Sequence, residues 1–383
     1  MNDPHNNWHQ PESHDALEAA EAVIEGSQKK KKPSFFEAHM FPLKGDSGKE
    51  ITRKVIFNLL VLTMIGASLV LVWWFGIDPW MHRRNMEELQ GGDHWEYVYE
   101  CEICENELRA YGGGLVCDYC PEPDPDTPRD PNAPPQAITT PRRRVRRLNF
   151  EELLEINHEV VGWLYAPGAS IDLPVVQTAN NNFYLYRDLW LRPSRYGNPF
   201  LDFRSRIRTQ PHSTNHIIYG HHMHDGTIFS HLLRYRNVDT VRRNPIITLT
   251  LPDGTVWDYI IFSVITINGL PDHDNGYVFA ANTPDFPHQE SFDGYIRQLR
   301  ERSFVNVDID VHWGDNLITL QTCQYEFPGQ FLYVIGRRVR PGESSSVAAG
   351  RITQNSNPRL PQALYDRQGR NNPFRDAERW FPG

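Results

Sequence analysis

One cysteine, Cys323, stands far along the chain from the other four cysteines. It follows a run of β-branched and apolar residues at 317–322, and this run predicts a strand that ends at the thiol. A thiol at a strand end beside a loop is accessible, and a nucleophilic cysteine needs a nearby imidazole or cation that favours the thiolate. A lone cysteine is more often a buried structural residue. The nucleophile interpretation therefore requires such a partner elsewhere in the chain.

Three histidines on one predicted loop offer that partner. His221, His222 and His224 lie in YGHHMHDGTIF, residues 219–229, directly after a predicted strand at 216–219. One interpretation is a metal site built from all three, but positions i, i+1 and i+3 on a loop do not by themselves bring three rings to one ion. The other interpretation makes one of them the acid/base partner of Cys323.

The remaining four cysteines form a second candidate site. Cys101, Cys104, Cys117 and Cys120 give the pattern C-x2-C, twelve residues, C-x2-C. Two such knuckles can hold one tetrahedral Zn²⁺, and this zinc would be structural because four thiolates leave no position for a substrate water. The alternative is a pair of disulfides, which an extracellular location would permit. In either case residues 98–121 are expected to form a small zinc-ribbon-like module.

Helix and strand signals between residues 148 and 341 supply the elements that must position Cys323 and the histidines. Residues 148–163 have apolar side chains at helical spacing, and a second helical pattern covers 291–302. Short runs of β-branched and aromatic residues, bounded by turn signals, predict strands at 216–219, 246–251, 256–267, 305–311, 317–322 and 331–336. The expected fold class is mostly β, a barrel with an N-terminal helix and an inserted late helix.

A membrane anchor is expected ahead of this domain. Residues 55–77 contain no charge, and at about 1.5 Å per residue they reach roughly 35 Å, enough to cross a bilayer core. A retained anchor is favoured over a cleaved signal peptide because a long polar segment precedes the apolar one. Eight basic residues lie at 29–54 and two at 78–100, which predicts a cytoplasmic N-terminus and an extracellular C-terminal part.

The other segments have the composition of tails and connectors. Residues 1–54 and 342–383 are expected to be disordered tails, 78–97 a stalk, and 122–147 a Pro/Arg-rich linker that keeps the catalytic domain away from the cysteine module. The net charge is −9, from 39 Lys and Arg against 48 Asp and Glu. This balance argues against nucleic acid as a partner.

With these motifs in place, residues 148–339 resemble a sortase catalytic domain, and specifically that of class B sortases. The sortase signature TLxTC stands here as TLQTC at 319–323, and the histidine motif YGHNM stands as YGHHM, with His222 in place of the usual asparagine. NFEELLEINHEVVGWLYAPG, GNPFLDFR, DGTIFSHL and FDGYIRQLRERS resemble further class B segments in the expected order. The resemblance covers about half of the chain.

The resemblance implies a membrane-anchored cysteine transpeptidase of secreted proteins that bear a C-terminal sorting signal. Such an enzyme cuts the signal and joins the new carboxyl end to a cell-wall or pilin amine. Cys323 would be the nucleophile, His221 the acid/base group and Thr322 a substrate contact. Nucleophilic and acid/base chemistry of this kind needs no catalytic cofactor.

One departure from the family concerns the oxyanion. Sortases carry an arginine on the strand after the cysteine, and the corresponding position here is Phe331 or Gln330. A glutamine amide at Gln330 would contact the oxyanion with about 2 to 3 kcal/mol less stabilisation. Arg337 and Arg338 lie roughly 20 Å farther along an extended strand, which leaves Arg204 as a remote substitute. The alternative to an active enzyme is therefore a sortase-like protein that binds sorting-signal peptides without cleaving them.

Overall fold

The computed structural model of the chain describes residues 34, 39–91, 95–101, 109–111, 114–116, 142–344 and 351–382. The chain divides into two compact units, Met1–Met81 and His82–Gly383.

Eight strands of the second unit close into a barrel, which confirms the expected fold class. They are β5 Val160–Ala166, β6 Ile171–Val176, β7 Phe200–Leu201, β8 Asn215–Tyr219, β9 Ile246–Thr250, β10 Val256–Asn268, β12 Leu317–Gln324 and β13 Gln330–Arg338. The barrel order is β10–β13–β12–β8–β7–β6–β5–β9. Most neighbouring pairs are antiparallel, whereas β12 pairs with β8 and β6 pairs with β7 in parallel.

Long runs of β-branched and aromatic residues explain the central strands. In β10 every residue from Tyr259 to Asn268 is buried, and in β13 nearly all of the strand is buried. Side chains on one face fill the barrel, and those on the other are covered by helices and loops, so both faces are apolar. The sequence prediction located these strands well, but the strand expected at 305–311 is shorter, at β11 Val305–Val307.

The opening helix is also shorter than expected. A helix was predicted over 148–163, whereas α3 covers only Phe150–Ile156, and β5 begins at Val160. Asn149 caps the helix by accepting a hydrogen bond from the Glu151 N–H at 3.0 Å. The valines that continue the helical spacing prefer a strand, and a Cβ on Gly162 would lie 2.9 Å from the Thr250 carbonyl of the neighbouring strand.

The inserted late helix is α5, Gln289–Arg302, in the connection between β10 and β12. The Ser263 hydroxyl of β10 donates to the Leu299 carbonyl at 2.9 Å. The Tyr295 hydroxyl donates to the Ala281 carbonyl at 2.7 Å, which holds the preceding loop against the helix. A shorter helix, α4 Val238–Arg243, precedes β9.

Most of the apolar helical stretch lies in the N-terminal unit. Within the described residues, one helical stretch, Gly48–Gly91, is long and apolar enough to cross a membrane. It comprises α1 Gly48–Val72, a π-helical turn Trp73–Ile77 and α2 Asp78–Gly91. A capping box of Ser47 and Glu50 begins α1.

The predicted stalk at 78–97 is only partly a connector, because its later residues pack on the barrel. Leu89 is fully buried in a cluster with Leu153 and Trp163. The ring of His82 stacks on that of Tyr196 at 3.8 Å between centroids. The expectation of a stalk is therefore wrong for this part of the segment.

The predicted linker at 122–147 also needs correction. Strand β4, Arg142–Leu148, pairs antiparallel with β1, Trp95–Cys101, and Cys101 lies opposite Arg142. Residues 142–147 of the predicted linker therefore form a paired strand and are not part of an extended spacer. A small hairpin, β2 Arg109–Tyr111 and β3 Gly114–Val116, lies between β1 and β4 along the chain. Cys104, Cys117 and Cys120 lie outside the described residues.

The C-terminal segment expected to be a disordered tail, 342–383, is largely folded onto the barrel domain. Strand β14, Ile352–Gln354, pairs with β11, and helix α6 covers Gln362–Arg367. Trp380 packs against Phe279, Phe286 and Tyr295, and its indole N–H donates to the Ser291 carbonyl at 2.9 Å. The sequence of this segment shows no helical or strand periodicity because it contacts the barrel domain through single apolar residues that lie far apart in the chain.

Candidate active site

The parallel pairing of β8 with β12 places the histidine loop beside the cysteine. The paired residues run from Asn215 and Leu317 to Tyr219 and Gln321. The Gly220 N–H then donates to the Gln321 carbonyl at 3.1 Å. The pairing ends at Tyr219 and Gln321, and His221 and Cys323 each follow the last paired residue of their strand by two positions.

Cys323 lies near the end of β12, partly exposed, on the same face of the sheet as Gln321. It is a free cysteine. Burial raises the pKa of the Cys323 thiol above its ordinary value. The resting site therefore holds mainly the neutral thiol at neutral pH, and the nucleophile must be activated by proton transfer.

His221 is oriented by a backbone carbonyl. Its Nε2 lies 2.8 Å from the Leu185 oxygen. Because a carbonyl oxygen only accepts, Nε2 carries the proton in the neutral ring, and Nδ1 is left to take up or release a proton. A glycine is needed at position 220 because a Cβ there would lie 2.5 Å from the Phe229 ring. The backbone N–H of Phe229 donates to the His221 carbonyl at 3.0 Å.

The other two histidines serve different contacts, so the three rings do not converge on one ion. His222 Nδ1 lies 2.9 Å from the Cys323 carbonyl oxygen and ties the loop to the end of β12. The His224 ring faces that of Tyr325 at 5.9 Å between centroids. Within the described ranges no group of three metal-binding side chains is found.

The structure does not place Thr322 and Gln330 where the sequence prediction did. Thr322 is buried, and its hydroxyl donates to the Gly220 carbonyl at 2.8 Å, so it supports the histidine loop. Gln330 is buried opposite Gln324, and its Oε1 accepts from the Glu326 N–H at 2.9 Å. Since successive residues of a strand point to opposite faces, Gln330 faces away from Cys323. Its expected oxyanion role is wrong in this structure.

The residue directly opposite Cys323 on β13 is Phe331, so an apolar ring occupies the register position next to the nucleophile. The arginines farther along this strand are engaged elsewhere: Arg337 pairs with Glu343, and Arg338 lies over the Trp257 ring at 4.4 Å. Both are too distant to replace an arginine at position 331, as expected.

The remote candidate Arg204 is also occupied. Its Nη2 lies 2.8 Å from the Asp202 carboxylate, which also accepts from the Tyr219 hydroxyl at 2.7 Å. These hydrogen bonds help to hold the pKa of Asp202 below its usual value despite burial. The guanidinium is thus neutralised within the protein.

Sequence reasoning did not identify two further groups beside the pair. The Leu185 carbonyl has no side-chain signature, and only the fold shows that it orients His221. Tyr325, two residues after Cys323, is exposed, and its hydroxyl donates to the His222 carbonyl at 3.2 Å. Its position after the TLQTC motif was the one available signal.

Comparison with known proteins identifies the family of this chain. Sortase B of Staphylococcus aureus (strain NCTC 8325 / PS 47) is 31% identical over 178 residues, which are 46% of this chain and 68% of the relative. The chain belongs to the sortase family, as a class B-like member. Sortase B of Listeria monocytogenes serovar 1/2a (strain ATCC BAA-679 / EGD-e) is 29% identical over 191 residues, 50% of this chain and 73% of the relative.

Two further comparisons add no weight to the assignment. The solved structure of Clostridium perfringens sortase B is 27% identical and superimposes with a TM-score of 0.45, over 50% of this chain and 99% of that one. A scan against protein-family models finds no match. The assignment therefore rests on the sequence relatives. It makes the protein a sortase cysteine transpeptidase.

The raised pKa of Cys323 predicts slow alkylation of this thiol in the substrate-free sortase. Alkylation by iodoacetamide at pH 7 is expected to be slower at Cys323 in the folded protein than in the urea-unfolded chain, because burial lowers the thiolate fraction. The folded rate should rise about tenfold per pH unit and continue to rise above about pH 8.5. Mass spectrometry of the Cys323 peptide gives both rates. A plateau below pH 8 would show instead that the site stabilises the thiolate.

Proposed function

We propose that this sortase is anchored in the membrane, cleaves a C-terminal sorting signal of secreted proteins and transfers the acyl group to a cell-wall or pilin amine. The observation that carries the proposal is the parallel β8–β12 pairing, after which the loop that bears His221 contacts the end of β12 through His222 Nδ1 and the Cys323 carbonyl oxygen. The relatives named Sortase B support the transpeptidase part.

The proposed reaction divides one amide exchange into two acyl transfers. In the first, Cys323 gives its thiol proton to His221 Nδ1, Sγ forms a bond to the scissile carbonyl carbon, the C–N bond breaks, and His221 passes that proton to the departing amine nitrogen. In the second, the acceptor amine attacks the thioester, its proton passes to His221, and the C–S bond breaks. The Leu185 carbonyl keeps the histidine ring in one orientation through both steps.

Membrane anchoring places the two ends of the protein on opposite sides of the bilayer. The apolar helix and the basic residues before it support a cytoplasmic N-terminus and an extracellular catalytic domain. Residues 55–77 would then contact the lipid. A membrane-impermeant thiol reagent applied to intact cells checks this orientation by labelling Cys323.

The four-cysteine module is proposed to bind structural zinc. The proposal rests on the C-x2-C, twelve residues, C-x2-C spacing in the sequence. Four thiolates suit Zn²⁺, which would stabilise a segment too short to bury a core. Elemental analysis of the purified protein distinguishes one equivalent of zinc from two disulfides.

The main test of the proposed function is capture of the acyl enzyme. Incubation with a library of peptides that resemble sorting signals should yield a covalent adduct on Cys323, detected by intact mass. The Cys323→Ala variant should form none, because it lacks the nucleophile. His221→Ala should form it at least 100-fold more slowly, since general acid catalysis contributes about 10² to 10⁴.

An alternative function, peptide binding without cleavage, is favoured by one observation: an apolar ring occupies the position where sortases carry an arginine. In that case the wild type would bind a sorting peptide and never form the adduct. The capture experiment therefore separates the two functions.

The Phe331 position gives a further prediction. Phe331→Arg restores a guanidinium opposite Cys323 and is expected to increase the acylation rate roughly ten- to hundredfold, because charge develops on the scissile oxygen in the transition state. Phe331→Met is the matched control, since it keeps an apolar side chain. Equal rates for the arginine and methionine variants would mean that another group already stabilises the oxyanion.

A further inference from the structure

We propose that Glu326 is a positioning residue, which fixes the loop after Cys323 against the segment after His221, and that the C-terminal segment 351–382 completes this arrangement through Arg367. The inference rests on the proposed acyl transfer between Cys323 and His221. It adds three groups that the sortase motifs do not include.

Glu326 is bound from three directions. Its N–H donates to Gln330 Oε1 at 2.9 Å within the loop that joins β12 to β13. Its carboxylate accepts from Arg236 Nη1 at 2.8 Å. Its carbonyl oxygen accepts from Arg367 Nη1 of α6. The loop thus has one internal contact and two contacts to other parts of the chain.

Arg236 carries the connection to the histidine. It is the last residue of the 3-10 helix Ser230–Arg236, and its guanidinium also lies over the Phe304 ring at 4.8 Å. This helix is bonded to the histidine loop, since the Met223 N–H donates to the Ser230 hydroxyl at 2.7 Å. The Arg236–Glu326 ion pair therefore links the segment that follows His221 to the loop that follows Cys323.

Arg367 carries the connection to the C-terminal segment. The Gln362 N–H at the start of α6 donates to Asp274 Oδ1 at 3.0 Å, in the turn Pro271–Asp274. In the same turn the ring of His273 lies 4.8 Å from that of Phe327, next to Glu326. The turn, α6 and the loop after Cys323 thus form a closed series of contacts.

These contacts fix the positions of the loops that bear His221 and Cys323 but add little to the free energy of unfolding. The side chains of Arg236 and Glu326 are 35% and 38% exposed, and such a surface pair contributes at most about 1 kcal/mol to folding. Proton transfer between His221 and the amine that departs from the scissile carbonyl carbon depends on placement within about 1 Å. Removing the pair should therefore impair the reaction while leaving the fold intact.

The test uses the detergent-solubilised full chain with Arg236→Met, Glu326→Gln and the double variant. Methionine keeps an apolar contact with Phe304. Each single variant is expected to reduce the acylation rate about tenfold, with little change in KM and in Tm, and the double variant should be no slower than the singles. Iodoacetamide alkylation of Cys323, which does not need His221, should change less than twofold.

The exchanged pair, Arg236→Glu with Glu326→Arg, should recover part of the acylation rate.

Arg351→Gln is the matched control, because it removes an exposed ion pair, to Asp308, between the β14 and β11 segments. It should behave as wild type. Wild-type acylation in Arg236→Met and Glu326→Gln, multiplicative losses in the double variant, or a parallel loss of alkylation would overturn the inference.

Hydrogen exchange separates this inference from the proposed function, because it needs no peptide. Arg236→Met should increase exchange in both 220–236 and 324–330, whereas Arg367→Met should increase it mainly in 324–330. If no peptide acylates the wild type, the proposed function fails, while these exchange changes would still support the coupling. Unchanged exchange in both segments would overturn it.

Discussion

The parallel pairing of β8 with β12 is the constraint on which the remaining structure depends. Parallel neighbours cannot be joined by a tight turn, so the chain must make a long excursion between Tyr219 and Leu317. That excursion contains the histidine loop, β9, β10 and α5. One pairing thus brings the histidine loop to the end of β12 and requires two of the eight barrel strands, β9 and β10, to be formed between the paired strands.

The contacts around this pairing fix the orientation of groups that the register only brings near. The Leu185 carbonyl accepts a hydrogen bond from the His221 ring. His222 ties the same loop to the Cys323 carbonyl oxygen, and the Thr322 hydroxyl donates to the Gly220 carbonyl. Most of these contacts end on backbone oxygens. Their geometry consequently depends on the path of the chain more than on the identity of the side chain that supplies the oxygen.

The barrel strands from β8 onward could be predicted from the sequence because each is a run of β-branched and aromatic residues, whereas β5, β6 and β7 were not predicted. Cys323 and His221 were found through short motifs, and their catalytic roles stay predictions. The errors occur where the decisive contact is distant. Val160 and Val161 continue the helical spacing but pair in a sheet, and Trp380 belongs to a segment without periodicity. The burial of Gln330 depends on the register with β12, which composition does not reveal. The cysteine-module prediction involves residues outside the described ranges and remains a proposal.

The pairing of β1 with β4 has a mechanical consequence. Trp95 and Leu148 lie opposite each other at one end of the strand pair, and Cys101 and Arg142 lie opposite each other at the other end. A pull that separates Trp95 from Leu148 would open the residue pairs one at a time and release about 3.4 Å of chain per residue. A pull on the chain before Trp95 would first act on Leu89, which is buried in a cluster with Leu153. Tension applied at Trp95 and Leu148 therefore reaches Cys101 and Arg142 only after the intervening pairs have opened.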